Sequence, residues 1–216
     1  MHSFKLNEYP AAALISRLGL RGKKVLGRGS FSAVFAHPDT SRNTVLKITT
    51  DKAGFSYLDE GASCYHLADS IYFPKVIDYH RDLNGDLIAE DSDFRVIELE
   101  RLEKKRFSGV EARLVYTYAS RNFGNLTPSP VTDADHAWAE RIERKDPEKC
   151  AAVHQFATRL ANFCADYGYR IDSLQGGNTL LRGDQPVFSD PVFCQRAMNA
   201  VRKQYDTSRA HRAWLH

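Results

Sequence analysis

Residues Val25 to Lys47 read VLGRGSFSAVFAHPDTSRNTVLK and predict a glycine-rich β-hairpin followed by a third strand. Gly27 and Gly29 can adopt backbone angles closed to other residues and let the main chain approach a bound group closely. Strand-like alternation resumes at residues 33–35. Lys47 stands alone among the apolar residues of the third strand. The stretch therefore sets one lysine beside a glycine turn, although such turns also occur where nothing binds.

Length and composition indicate a globular protein. The chain has 216 residues, 43% of them hydrophobic, enough to bury a core as one large domain or two small lobes. No apolar run of about 18 residues occurs and residues 1–10 lack a signal-peptide segment, so we expect a cytoplasmic protein without a membrane partner. No two cysteines form a C-x-x-C pair, which predicts free thiols without a disulfide or zinc site at Cys64, Cys150, Cys164 and Cys194.

Charge is concentrated at the end of the chain. The formal net charge is +3, but residues 194–216 hold five Lys or Arg residues against Asp206 alone. A basic tail of this kind can contact nucleic acid or an acidic protein surface, or it can pack on the body as a solvated helix. The solvated helix is the favoured interpretation, and nucleic acid is not the expected partner.

Strand patterns before residue 103 predict a five-stranded antiparallel sheet, preceded by a short helix within residues 3–20. The first strand is expected at residues 23–26 and the second directly after the glycine turn. The other three are expected at residues 44–49, 87–88 and 94–99.

A helix is predicted between the third and fourth strands. Residues 55–68 carry apolar side chains at helical spacing, which leaves Glu60 on the helix as either an exposed carboxylate or a partner for Lys47. Asp59 is the competing choice for that partner.

The second half of the chain is predicted to be mainly helical, with helices at residues 110–119 and 134–144. A third helix begins at Asp146-Pro147, where an aspartate cap precedes a proline at the first helical position, and ends at Gly168. The acidic group around Asp133 could suggest metal ligands, but an acidic helix start explains it better. That group consists of Asp133, Asp135 and His136.

Residues 169–193 read YRIDSLQGGNTLLRGDQPVFSDPVF and contain the second group of candidate functional residues. Asp172 and Asn178 lie in a loop, and a predicted hairpin of strands 179–181 and 187–188 leads to Asp190. Mg²⁺ bound to nucleotide phosphates needs few protein ligands and prefers oxygen atoms. Asn178 and Asp190 can supply them.

These motifs together resemble the protein-kinase-like superfamily, and most closely the early Ser/Thr protein kinase of small podophages. The pattern L-G-x-G-x-F-S-A-x-x-x-H-P spans Leu26 to Pro38, and G-N-x-x-x-x-G-D-x-P-x-x-x-D-P-V spans Gly177 to Val192. Ser32 replaces the third glycine of the cellular G-x-G-x-x-G loop. Asp190-Pro191-Val192 stands where cellular kinases have D-F-G.

The resemblance implies a bilobal α+β protein-kinase-like fold. Residues 1–102 would form the N-lobe with the five-stranded sheet and C-helix, and residues 103–216 a reduced, mainly helical C-lobe. The implied activity is phosphorylation of host bacterial proteins on Ser or Thr, using ATP and Mg²⁺, during host takeover. In that case Lys47 pairs the nucleotide phosphates, while Asn178 and Asp190 hold the metal.

Further nucleotide contacts are implied along the glycine loop and at the hinge between the lobes. Glu60 would pair with Lys47, and backbone groups of the hinge would hold the adenine ring. The implied contact residues are Gly27, Gly29, Ser30, Val34, Glu60, Glu100 and Leu102.

The catalytic base is open at the sequence level. Kinases place the proton-accepting aspartate five positions before the asparagine, but Asp172 precedes Asn178 by six and Ser173 takes the fifth position. An inserted residue would keep Asp172 as the base. Loss of the base would instead make the chain a pseudokinase that binds a host protein. A small-molecule kinase of the aminoglycoside type is a third reading, with an acidic pocket formed by Asp133, Asp135, Glu140 and Glu143.

Overall fold

The computed structural model describes residues 11–80, 94–124, 126–174 and 176–199. These residues form an α+β structure with a five-stranded antiparallel sheet and two two-stranded pairings. The first part of the chain forms, in order, α1 (Ala11–Arg17), β1 (Val25–Arg28), β2 (Ser32–Ala36), β3 (Thr44–Thr49), α2 (Lys52–Leu58), α3 (Glu60–Cys64), a 3₁₀ turn (Leu67–Asp69), β4 (Val76–Tyr79) and β5 (Arg95–Glu100). The second part forms α4 (Val110–Asn122), α5 (Asp133–Lys145), α6 (Pro147–Tyr167), β6 (Arg170–Ile171), a 3₁₀ turn (Gly176–Asn178), β7 (Thr179–Arg182), β8 (Gln185–Phe188) and β9 (Val192–Phe193).

The five-stranded antiparallel sheet is confirmed, with strand order β1-β2-β3-β5-β4. One of its strands differs from the prediction. The edge strand next to β5 is β4, which pairs with it through Val76, Asp78 and Tyr79. The strand predicted at residues 87–88 lies outside the described residues. In residues 76–79 the two end residues are half-buried and the two central residues are exposed. This is the pattern of an edge strand, and it gives little apolar signal in the sequence.

The predicted helix over residues 55–68 is broken into two helices and a turn. Helix α2 begins earlier, at Lys52, because the Asp51 side chain accepts a hydrogen bond from the Ala53 amide and caps it. Asp59 has φ −100° and ψ −80°, outside helical values, and separates α2 from α3. His66 has a left-handed backbone with φ 54° and ends the helical segment. As a result Glu60 opens α3 instead of lying within one continuous helix.

The two faces of β3 bury different residues because side chains alternate along a strand. Leu46 and Ile48 face a smaller apolar cluster that includes Leu14 of α1. Val45 faces a larger cluster, which joins the sheet to α2, α4 and α6. The larger cluster contains residues from both sides of residue 102, and the division of the chain into two lobes there stays a prediction.

Helices α5 and α6 both begin at a side-chain cap, and α6 ends at the predicted glycine. In α5 the Thr132 side chain and Asp135 form a reciprocal capping box, which confirms the helix-start reading of the acidic group. In α6 Asp146 caps the first turn, Pro147 follows, and Gly168 ends the helix in the left-handed region at φ 65°. None of the described helices is long and apolar enough to cross a membrane.

The short strands after α6 bring two loops together. Strand β6 pairs with β9, which sets Ile171 opposite Val192. Between them β7 and β8 form a hairpin. The loop that contains Asp172 and the residues that follow β8 are therefore neighbours in space.

Candidate functional site

The site is built around Lys47, which is 4% exposed although it carries a charge. It pairs with Val34 on β2 and Ile97 on β5, so its side chain lies on the face of the sheet that meets the helices. Its Nζ atom lies 3.1 Å from Oδ1 of Asp190. A buried ammonium group needs such a partner, because burial without one is costly.

Asp190 is held at this position by the strand that precedes it. Phe188 is fully buried, its amide donates to the Tyr72 carbonyl at 2.9 Å, and its carbonyl accepts from the Tyr57 hydroxyl at 2.9 Å. Burial of such an aromatic side chain contributes about 1.5–3 kcal/mol. The buried Oδ1 of Asp190 makes no hydrogen bond of good geometry with the described residues, although Lys47 lies beside it. The Asp190 side chain as a whole is 32% exposed, so its other carboxylate oxygen is the one open to a further positive group.

The loop from Asp172 to Asn178 is folded around the Asp172 carboxylate. The Ser173 amide donates to Oδ1 at 2.6 Å, and the Asn178 amide nitrogen donates to Oδ2 at 3.1 Å. The same Asn178 nitrogen donates to the Ser173 carbonyl at 2.9 Å. Both protons of the Asn178 side-chain amide are used in this way, which leaves the side-chain oxygen Oδ1 as a potential metal ligand.

Asp172 and Asp190 lie close enough for their charges to interact. Burial raises the pKa of Asp172 and the charge of Asp190 adds to the rise, while hydrogen bonds from Ser173 and Asn178 oppose it. The backbone carbonyl of Asn178 accepts from the Ser189 amide at 2.9 Å and lies 3.4 Å from the Asp190 amide. The structure thus brings together Lys47, Asp172, Asn178 and Asp190, which are far apart in sequence.

Tyr116 of α4 supports this loop and was not predicted from the sequence. Its hydroxyl donates to the Asp172 carbonyl at 3.1 Å and accepts from the Leu174 amide. The sequence offers only a tyrosine on a helix, a pattern that does not indicate which backbone it contacts.

Ser173 points to a different environment from Asp172. It is exposed and lines a cavity of about 430 Å³ beside α4 and residues 128–131. The Asp172 carboxylate, by contrast, binds Asn178 and is near Asp190. Of the two residues considered as the base, Asp172 is the one whose side chain binds Asn178 and interacts with the charge of Asp190.

Asp51 is a further carboxylate at the site and was not predicted from the sequence. Burial raises its pKa to about 6, and the charge of Asp190 adds to the rise while Lys47 opposes it. A Cβ atom on Gly54 would lie 2.8 Å from Oδ2 of Asp51 and 3.0 Å from Oδ1 of Asp190. The available signal was an aspartate at a helix start directly after β3, which normally indicates only a cap.

Glu60, the predicted partner of Lys47, lies elsewhere. The ion pair of Lys47 is with Asp190. Glu60 contributes, behind burial and Asp59, to the raised pKa of Tyr79, and its buried Oε2 has no hydrogen-bond partner among the described residues. The expected pairing fails because the break at Asp59 makes Glu60 the first residue of α3.

The glycine hairpin pairs with the strand that carries Lys47. Gly29 lies in the turn between β1 and β2, with its amide donating to the Ser32 carbonyl at 2.9 Å. Gly27 has no neighbour within 4 Å of where a Cβ atom would be. Val34 is half-buried directly opposite Lys47, while Ser30 lies in the turn.

The predicted hinge connects β5 to the helical half, and its glutamate is tied down. The Lys75 amide donates to Oε1 of Glu100 at 2.7 Å, and Arg182 binds both carboxylate oxygens. Burial would raise the pKa of Glu100, but the hydrogen bonds from Arg182 and Lys75 lower it below its usual value. Leu102 is half-buried beside it. The Glu100 side chain is thus structural, and its backbone amide donates to the Lys75 carbonyl at 3.0 Å.

Comparisons with known proteins add no relative. A scan against models of protein families found no match to the chain, and neither did a search of curated proteins. Within the described residues no group of three or more His, Cys, Asp or Glu side chains is arranged to hold a metal ion. That finding concerns cages formed by the protein alone, whereas Mg²⁺ bound with phosphates typically takes one or two carboxylates.

Proposed function

We propose that this protein transfers the γ-phosphoryl group of ATP to Ser or Thr residues of bacterial host proteins. The observation that carries the proposal is the convergence of Lys47, Asp172, Asn178 and Asp190, with Lys47 on the strand that pairs with the glycine hairpin. A lysine for phosphates, two oxygen ligands for a metal and a carboxylate for the acceptor are the parts that phosphoryl transfer requires.

The residues present fit a magnesium ion. The Asp190 side chain is 32% exposed, so its carboxylate can reach a metal ion, and the Asn178 side-chain amide has both protons engaged so that its Oδ1 is left over. Both are hard oxygen donors. When bound with ATP, Mg²⁺ neutralises charge on the phosphates during transfer.

The chain's own residues perform the remaining roles. Lys47, which is buried beside Asp190, would bind phosphate oxygens, and Asp190 and Asn178 would hold the metal. Gly27 and Gly29 let the hairpin backbone cover the phosphates, because no side chain intervenes. Asp172 orients the acceptor hydroxyl and accepts its proton, a contribution typically worth about 10²- to 10⁴-fold in rate.

One observation favours a second function. Both carboxylate oxygens of Asp172 already accept hydrogen bonds, from the Ser173 amide and the Asn178 side chain. An aspartate used only to fix its loop would suit a pseudokinase, which binds nucleotide and acts by occupying a host protein. The small-molecule reading gains no such support, because the pairing of Asp135 with Arg113 and Thr132 removes a central carboxylate from its acidic pocket.

The test is transfer of labelled phosphate. Purified protein is incubated with γ-labelled ATP and Mg²⁺, alone and with bacterial lysate, beside Asp172→Ala, Ser173→Ala and Asp190→Ala. Asp78→Ala, an exposed aspartate on β4, is the matched control. We expect label with wild type, Ser173→Ala and the control, and none with the other two variants. Absence of label throughout, with MgATP still raising the melting temperature, would favour the pseudokinase.

A further inference from the structure

The carboxylates of Asp190 and Asp51 both lie near Lys47. The proposed metal ion would bind only that of Asp190. Asp190 forms the ion pair with Lys47 in the structure, and Asp51 lies close enough for its charge to act on both. We propose that Asp51 is the positioning residue that holds Lys47 toward the nucleotide phosphates when Asp190 binds the metal. This inference rests on the proposed function.

The Asp51 backbone and side chain are fixed in place. Its amide donates to Oγ1 of Thr49 at 2.9 Å, its Oδ1 accepts from the Ala53 amide at 3.1 Å, and its carbonyl accepts from the Phe55 amide at 3.0 Å. Thr49 is fully buried on the same strand as Lys47. The carboxylate therefore has a defined position relative to the lysine.

The second oxygen of Asp51 is directed at the site. Oδ2 of Asp51 and Oδ1 of Asp190 both approach the position that a Cβ atom would take on Gly54, at 2.8 Å and 3.0 Å, so the two oxygens are at most 5.8 Å apart. A glycine at residue 54 leaves the space that both carboxylates use.

The charge balance gives Asp51 its role. Lys47 is 4% exposed, and a buried ammonium group without a partner is unfavourable. If Asp190 binds a metal ion, the nucleotide phosphates and Asp51 are the anionic groups that remain to pair with Lys47. Glu60 makes no ion pair with Lys47 among the described residues, and its charge acts on Tyr79 and Tyr167.

A simpler role for Asp51 is that of a helix cap alone. Asparagine and serine cap helices about as well as aspartate does, but they carry no charge. Asp51→Asn and Asp51→Ser therefore keep the cap and remove the charge. Asp146→Asn makes the same exchange at the cap of α6, away from the site, and is the matched control.

The experiment measures ATP affinity by calorimetry with Mg²⁺ and, separately, with the metal chelated. The ratio of the two affinities is expected to fall at least about tenfold in Asp51→Asn and Asp51→Ser, and to stay within about twofold in Asp146→Asn. In a Lys47→Ala background the Asp51 exchange is expected to change the ratio less than about twofold, because coupled residues are not additive.

Each outcome has a distinct meaning. A wild-type protein that binds no MgATP overturns the proposed function and this inference with it. A wild type that binds MgATP, with a normal ratio in both Asp51 variants, overturns only the inference. Additive effects of Lys47→Ala and Asp51→Asn would also overturn it, as would a loss found in Glu60→Gln and not in Asp51→Asn.

Discussion

Replacing Gly54 by alanine should weaken nucleotide binding while changing the fold little. The new Cβ atom would lie 2.8 Å from Oδ2 of Asp51 and 3.0 Å from Oδ1 of Asp190, whereas ordinary contacts begin at 3.4 Å. The two oxygens must therefore move by about 0.6 Å and about 0.4 Å. Both movements disturb the carboxylates next to Lys47.

The effect of Gly54→Ala on stability combines opposing contributions. Alanine in a helix is about 1 kcal/mol more favourable than glycine. Two carboxylates pushed from their preferred rotamers cost about 0.5–1.5 kcal/mol each. We expect a net destabilisation of about 0–2 kcal/mol by urea unfolding, and about tenfold weaker MgATP binding by calorimetry, equivalent to about 1.4 kcal/mol.

Gly61→Ala is the matched control for this prediction. Its new Cβ would meet the end of the flexible Leu67 side chain at 3.1 Å, away from the site, so MgATP binding should not change. A Gly54→Ala protein about 1 kcal/mol more stable than wild type, with unchanged MgATP affinity, would refute the close approach of Asp51 and Asp190.

Three further predictions concern the surroundings of the site. Tyr116→Phe removes the hydroxyl that binds the Asp172 carbonyl, and should destabilise the protein by about 1–2 kcal/mol in urea; a change below about 0.5 kcal/mol would contradict this. Glu98→Gln removes a charge that is 1% exposed and faces an arginine and two histidines, so the melting temperature should fall, and an unchanged melting temperature would argue against the cluster. Hydrogen bonds from Thr132 and then an arginine lower the pKa of Asp135, so Asp135→Asn should be less stable than wild type at pH 7, with the difference shrinking as pH falls below 3.8. A stability difference between Asp135→Asn and wild type that persists or grows in acid would refute this third prediction.

Local patterns were sufficient for the sheet and for most helix ends. The strand that carries Lys47 and the caps at Asp146 and Gly168 depend on neighbouring residues, and the structure confirms them. Residues 76–79 form an exposed edge strand, whose weak apolar pattern concealed it.

The partner of Lys47 could not be predicted because it depends on where the helix after β3 begins and breaks. Helical spacing over residues 55–68 pointed to Glu60, but the cap at Asp51 starts α2 early and Asp59 interrupts it. A shift of a few residues in where a helix begins points its side chains in a different direction, so a different carboxylate reaches the lysine.

The loop register at Asp172 was likewise beyond sequence reasoning. Counting positions could not decide between Asp172 and Ser173, since the outcome depends on how the loop folds. In the structure the Asn178 side chain binds the Asp172 carboxylate, and the Tyr116 hydroxyl fixes the loop from a distant helix.

The most direct test of the account is calorimetric titration with ATP of wild-type protein and Asp190→Asn, each with and without Mg²⁺. Because Asp190 is proposed as both the metal ligand and the partner of Lys47, we expect wild type to bind ATP more tightly with Mg²⁺ and the variant to lose that gain. No binding by wild type, or an equal gain from Mg²⁺ in Asp190→Asn, would contradict a magnesium-nucleotide site at these residues.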